Sequence, residues 1–238
     1  MKTKRTYLTN QRMEYLREKY GLTISESERN KILNFYYKSI DDIIILFDRV
    51  VEYQNSSNNM RFYDRYNYVR ITSIILRLYD IPFSEILNLK IEDINMHTAS
   101  INVNNETFII DTRFLKYINK SIELSKTIGT DYIICDSGGN RFSDEETLKT
   151  FINNFIKYIK TIPSLSISLV CMRDSIRFEN ILKHDEGIGF SHEFDILKDI
   201  FKQQFITKEC SKTNITTKIR AKYDLYLKWF KVFYEERD

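Results

Sequence analysis

Along this chain apolar positions recur three and four residues apart far more often than they alternate. That spacing marks helices with one buried face. SIDDIIILFDRVVEY, residues 39–53, opens with Ser39 and Asp42 at capping-box spacing and continues as an amphipathic helix. Residues 7–20 and 24–37 read as two shorter helices broken at Gly21, and QNSSNNM, 54–60, as a polar loop. RFYDRYNYVRITSIILRLYD predicts a long, strongly apolar helix over 61–80, followed by another over 83–89. The period then changes. TASINVNNETFIID, 98–111, alternates on either side of Asn104-Asn105, as the arms of a β-hairpin do. Beyond it come a helix over 112–127, a short buried strand at YIIC, 132–135, and a turn at Gly138-Gly139. Ser143 with Glu146 is expected to open a helix over 144–160. Helices over 167–182, 192–205 and 214–236 complete the pattern, with HDEGIG as a loop between the first two. No internal repeat interrupts it.

These elements imply a mainly α fold with a small β-hairpin sheet, an α+β class. Composition agrees, because 6 glycines and 2 prolines in 238 residues leave few breakers for the helices. A chain of this length buries one large core or two modest ones. The net charge of +3 permits nucleic-acid binding without announcing it. No apolar run approaches the ~20 residues that would span a bilayer, and MKTKRTYLTN lacks the apolar centre of a signal peptide. Cys135, Cys171 and Cys210 form no CxxC pair, and His97, His184 and His192 are scattered. Neither a disulfide framework nor a metal site is expected. The plain reading is a reduced, intracellular protein without a cofactor.

YDIPFSEILNLKIEDIN, 79–95, resembles a segment of the catalytic domain of tyrosine recombinases, the phage-integrase family. That segment runs Gly-Leu-Arg-x-Ser-Glu-Leu-x-x-Leu, then a spacer and Asp-Ile, and Ser84, Glu85, Leu89, Asp93 and Ile94 match in register. The apolar helix before it and the hairpin after it keep the family's order, and the resemblance covers about residues 36–226. It implies a recombinase-like domain over 36–238, preceded by a short helical arm, or the remnant of a core-binding domain, over 1–35.

In the family a tyrosine attacks a DNA phosphate, surrounded by two arginines, a lysine and histidine-type groups. Fixed cationic donors are what a phosphoryl transition state needs, since negative charge spreads over its oxygens. Here the first arginine falls on Pro82, which offers neither charge nor donor and suits the first turn of a helix. The hairpin carries no lysine: none lies between Lys90 and Arg113. The His-x-Leu-Arg-His element matches VCMRD, 170–174, where Arg173 is retained but Val170 and Asp174 replace the histidines. Asp174 would repel a phosphate beside it. In the closest register the nucleophile position carries Arg220, while a slipped register promotes Tyr223. Each missing donor costs a recombinase about a hundred- to a thousandfold in rate, so the resemblance implies a homologue that does not cut.

Such a domain can still grip duplex DNA, because phosphate contacts need cations and not a nucleophile. The candidates are Arg173 and Arg177, one helical turn apart, and Lys212, Lys218, Arg220 and Lys222 around the start of the last helix. Lys90 and Arg70 are weaker ones, and Lys2, Lys4 and Arg5 could form a basic arm. An ion pair with an acidic neighbour on a solvated face is the competing reading of Arg173, and a solvated face that of the lysine-rich run. Tyr226, Trp229, Phe230 and Phe233 form an apolar stripe, which either packs on the chain's own core or makes a homo-oligomer. Inactive relatives suggest a repressor or regulator of a phage or mobile element, in the cytoplasm and at the nucleoid. Two other classes stay open: a divergent site-specific recombinase using Tyr223, and a protein-interaction module that has lost DNA.

Overall fold

The computed structural model describes residues 23–56, 63–184 and 212–234. It is mainly helical, with one small three-stranded antiparallel sheet, as the hydrophobic pattern predicts. The chain divides into two compact units, one of Ile40–Arg173 and one that joins the segment up to Ser39 with the segment from Asp174 onward. The described part of the stretch up to 35, residues 23–35, shares a unit with the C-terminal helix. The helix expected over 7–20, residues 185–189 of the HDEGIG loop and the helix expected over 192–205 lie outside the described residues.

The first helix, α1 (Glu26–Phe35), belongs to the second unit. In the first unit, α2 (Ile40–Ser56), α3 (Tyr63–Leu78), α5 (Leu115–Ile128) and α6 (Glu145–Ile159) surround the core. Helix α3 is central: it lies against α2, α5 and α6. Its Val69, Ile71, Ile74, Ile75 and Leu76 are fully buried, and so are the polar Asn67, Thr72 and Ser73, which makes it a core helix. Its buried hydroxyls are satisfied inside the unit: Thr72 donates to the Tyr117 carbonyl (3.3 Å) and Ser73 to that of Arg70 (2.7 Å).

The end of α3 sets the course of the recombinase-like segment. Asp80 sits in the left-handed region at φ 61°. The Asp80 amide bonds to the Arg77 carbonyl (3.3 Å) and the Ile81 amide to that of Leu76 (3.2 Å). This is a Schellman motif with aspartate where glycine is usual. Pro82 then caps the short helix α4 (Phe83–Asn88), its carbonyl accepting the amides of Glu85 and Ile86. Proline thus stands one position before the first turn where it was expected.

The hairpin forms as its alternation predicts. β2 (Ser100–Val103) and β3 (Glu106–Ile109) pair with Val103 opposite Glu106, and Asn104 and Asn105 both have positive φ, at 46° and 66°. Such a two-residue turn matches the twist of the strands. A strand the alternation does not reveal, β1 (Ile94–Asn95), adds to the other edge of β2. The strand expected at 132–135 is not one. Only Tyr132 bridges, to Lys90, because Lys90 opens a tight turn over Ile91–Asp93 and Asp136 closes another with Asn140 (2.8 Å). Its burial was read correctly: Ile133, Ile134 and Cys135 are all inside. Helix α6 starts from Asp144 and not Ser143, since Asp144 Oδ1 takes the Thr147 amide at 2.8 Å.

The second unit contains α1, α7 (Leu169–His184) from Asp174 onward, and α8 (Lys212–Tyr234). A capping box opens α1, with the Glu28 amide on Ser25 Oγ and the Ser25 amide on the Glu28 carboxylate. Ile32 of α1, Phe178 and Ile181 of α7, and Ile219, Tyr223, Tyr226, Leu227, Trp229 and Phe230 of α8 form one apolar cluster. Trp229 donates its indole N–H to the Tyr37 carbonyl at 2.8 Å. The aromatic stripe offered as a homo-oligomer contact is therefore spent on the chain's own core. Tyr226, Trp229 and Phe230 are buried and Phe233 is partly buried against them.

Candidate nucleic-acid interface

In the first unit, the retained Arg173 does not stand open to solvent. Its Nη1 donates to Asp80 Oδ1 at 2.7 Å, and its side chain is 16% exposed against 39% for Asp80. Arg173 Nε is buried and has no hydrogen-bond partner among the described residues. Arg173 is thus ion-paired, with a partner 93 positions away in sequence, but largely buried and not on a solvated face. Val170, one turn earlier on α7, is 51% exposed.

Position 82 has no charge, yet a guanidinium reaches both of its neighbours. Arg77, from the last turn of α3, donates Nη1 to the Ile81 carbonyl and lies 4.3 Å over the Phe83 ring. Burial pulls its pKa below the ordinary arginine value; Asp80 opposes that shift and the positive charge of Arg173 adds to it. Lys149 of α6 lies 5.4 Å from the centre of the same ring and pairs with Glu145 and Glu146 at 3.6 and 3.7 Å. Sequence reasoning missed both Arg77 and Asp80. The available signal was a lone arginine inside IILRLYD, a charge that an otherwise apolar helix must place somewhere. Lys90 is half-exposed, 3.6 Å from Glu92, with its amide on Asp93 Oδ2 at 2.8 Å.

In the second unit, Asp174 is fully buried. It was expected to face and repel a phosphate. Instead α7 turns it inward, where Oδ2 accepts from Lys222 Nζ and Oδ1 lies 3.9 Å from Arg177 Nη1. Two of the cations proposed for phosphate are consequently gathered around an internal carboxylate, with side chains only 11% (Arg177) and 19% (Lys222) exposed. A buried acid with two flanking cations is the arrangement that burial of charge demands.

Helix α8 sorts its residues by face. Lys218 and Arg220 are exposed, whereas Ile219 and Tyr223 are buried. Tyr223, the tyrosine promoted by a slipped register, stacks on Tyr226 with ring centres 6.3 Å apart inside the apolar cluster. The side chain of Lys212 lies outside the described residues, as do Lys2, Lys4 and Arg5. Arg70 faces the rings of Tyr66, Phe151 and Phe155 at 5.4–5.6 Å and so lies within the aromatic packing of α3 and α6. Among the described residues no group of three or more His, Cys, Asp or Glu could hold a metal ion, and no helix is long and apolar enough to cross a membrane.

No family model matches the chain, and no curated protein matches it. Among solved structures, the crystal structure of XerA recombinase is similar, with a TM-score of 0.46 and 18% sequence identity over 82% of this chain. This chain spans 64% of that recombinase's length.

Proposed function

We propose that this chain is a DNA-binding protein on a recombinase-like framework that holds duplex DNA through phosphate contacts and does not cut it. One observation carries the proposal. On a single helix, α8, Lys218 and Arg220 turn to solvent while the tyrosine offered for catalysis, Tyr223, turns into the core. Exposed cations suffice for phosphate contacts; an attacking hydroxyl has to reach a phosphorus atom. The match of Ser84, Glu85, Leu89, Asp93 and Ile94 to the recombinase segment supplies the framework. Pro82 and Val170 support the absence of cleavage, since neither side chain can donate or shuttle a proton. A regulator of a phage or mobile element, repressing by occupancy of its site, is the role such a protein would fill.

Binding of labelled duplex DNA, followed by fluorescence anisotropy at several salt concentrations, tests this reading. Affinity should fall steeply with salt, with a slope of about 0.9 per phosphate neutralised. Arg220→Ala and Lys218→Ala should each weaken binding and lower the slope by about one. A nicked suicide duplex should yield no covalent adduct; an adduct lost in Tyr223→Phe would establish the divergent recombinase in its place. No binding to duplex at low salt would leave the interaction module.

A further inference from the structure

We infer that Asp80 is a displaceable internal counter-ion, which occupies Arg173 in the free protein and yields it to a phosphate oxygen when DNA is engaged. This regulation of the interface rests on the phosphate-gripping reading. Four observations lead to it. First, Asp80 holds a left-handed backbone (φ 61°) at the end of α3, a position glycine takes without strain and other residues at a cost of about 1 kcal/mol. Aspartate and asparagine tolerate that region better than most, but only aspartate adds a charge there, and that charge meets Arg173. Second, the bond between them runs from one terminal nitrogen, Nη1 to Oδ1 at 2.7 Å, while Arg173 Nε is buried with no partner among the described residues. A guanidinium is a fork suited to two parallel bonds, so Asp80 serves it incompletely.

Third, the two partners differ in exposure. Arg173 is fixed within α7 and largely buried, whereas Asp80 is the more exposed of the pair. The carboxylate is the member that can leave. Fourth, Arg77 lies close enough for the two guanidinium charges to oppose one another, and Asp80 is the carboxylate that acts on both. A phosphodiester bears the same single negative charge as the carboxylate it would replace. The exchange therefore leaves Arg173 compensated throughout, and the strength of the Asp80 contact sets how firmly a backbone must press to win it.

The test uses the full chain carrying Asp80→Asn, which keeps a side chain suited to the left-handed region, or Asp80→Gly should the first variant fold poorly. Inorganic phosphate is titrated at constant ionic strength and followed by thermal shift, with folding checked by circular dichroism. Removing the carboxylate should tighten phosphate binding by about tenfold, the scale of one charge-assisted hydrogen bond, and the gain should vanish in Asp80→Asn/Arg173→Gln. Unchanged phosphate affinity in the folded single variant would overturn the inference and leave Asp80 a structural cap. A gain that survives Arg173→Gln would overturn it too, as a diffuse charge effect. Duplex DNA separates the two proposals. Tighter phosphate binding without tighter duplex binding supports the Asp80 device and counts against the DNA-gripping reading of Arg173.

Discussion

Glu28 shows how much one side chain can be asked to do at a helix start. Its carboxylate accepts from Lys228 of α8 and closes the capping box with Ser25. The Lys228 bond first, and then those from Ser25, hold its pKa at about 2 instead of 4.5. A carboxyl depressed in the folded state stabilises it above the unfolded value and ceases to do so as pH falls through the folded one. The contribution is therefore complete above pH 4.5 and fades toward pH 2. Glu28→Gln should lower the urea midpoint of the second unit at pH 7, and the two proteins should converge near pH 2 when followed by fluorescence. Because the group is exposed, added salt should narrow the difference at pH 7. A separation as large at pH 2 as at pH 7 would refute the carboxylate's part. The spacing read as a capping box at Ser39 and Asp42 also occurs in Ser25-Glu26-Ser27-Glu28, where the box is formed. The lysine that completes it lies 200 positions away, beyond the reach of any local spacing rule.

At the scale of elements, helices α7 and α8 are joined by a buried charge as well as by aromatic packing. Asp174 is fully enclosed, with Lys222 bonded to it and Arg177 alongside. Breaking a buried ion pair by removing one partner typically costs about 3–5 kcal/mol. Asp174→Leu should show a loss of that size in urea unfolding, and combining it with Lys222→Met should recover a large part. If the double variant were no better than the single, the loss would come from packing and not from an orphaned ammonium. This pairing marks the limit of the sequence reading of the site. Helical spacing put Arg173 and Arg177 a turn apart, but it could not show that Arg173 meets Asp80 or that Asp174 takes Lys222, both far away in sequence. The positions of helices and hairpin were legible because periods of 3.6 and 2 are local properties. β1, with two residues, is too short to alternate, and the YIIC run looks like a strand because burial and strand formation favour the same residues.

For the whole molecule, the division into two units predicts two unfolding events that different probes weigh differently. The single tryptophan, Trp229, lies in the apolar cluster of the second unit and reports on it alone. Far-ultraviolet circular dichroism averages over all helices. Urea transitions followed by the two signals should not coincide, a departure from two-state behaviour. Coincident curves with equal midpoints and slopes would instead mean that the units unfold together. The hydrophobic pattern could not anticipate this division, because the apolar stripe of α8 looks the same whether it covers its own neighbours or another copy. Ile32, Phe178 and Ile181 are the residues it packs against within its own unit.

Cys135 offers an unengineered clock for the other unit. Its thiol is fully enclosed, burial raises its pKa, and the Tyr66 hydroxyl ties down its carbonyl at 2.6 Å. An alkylating reagent can mark it only during the moments when the surrounding helices part, whereas partly exposed Cys171 reacts without waiting. The interval between the two modifications, read peptide by peptide in a mass spectrometer, would time the breathing of the domain that holds Asp80 and Arg173.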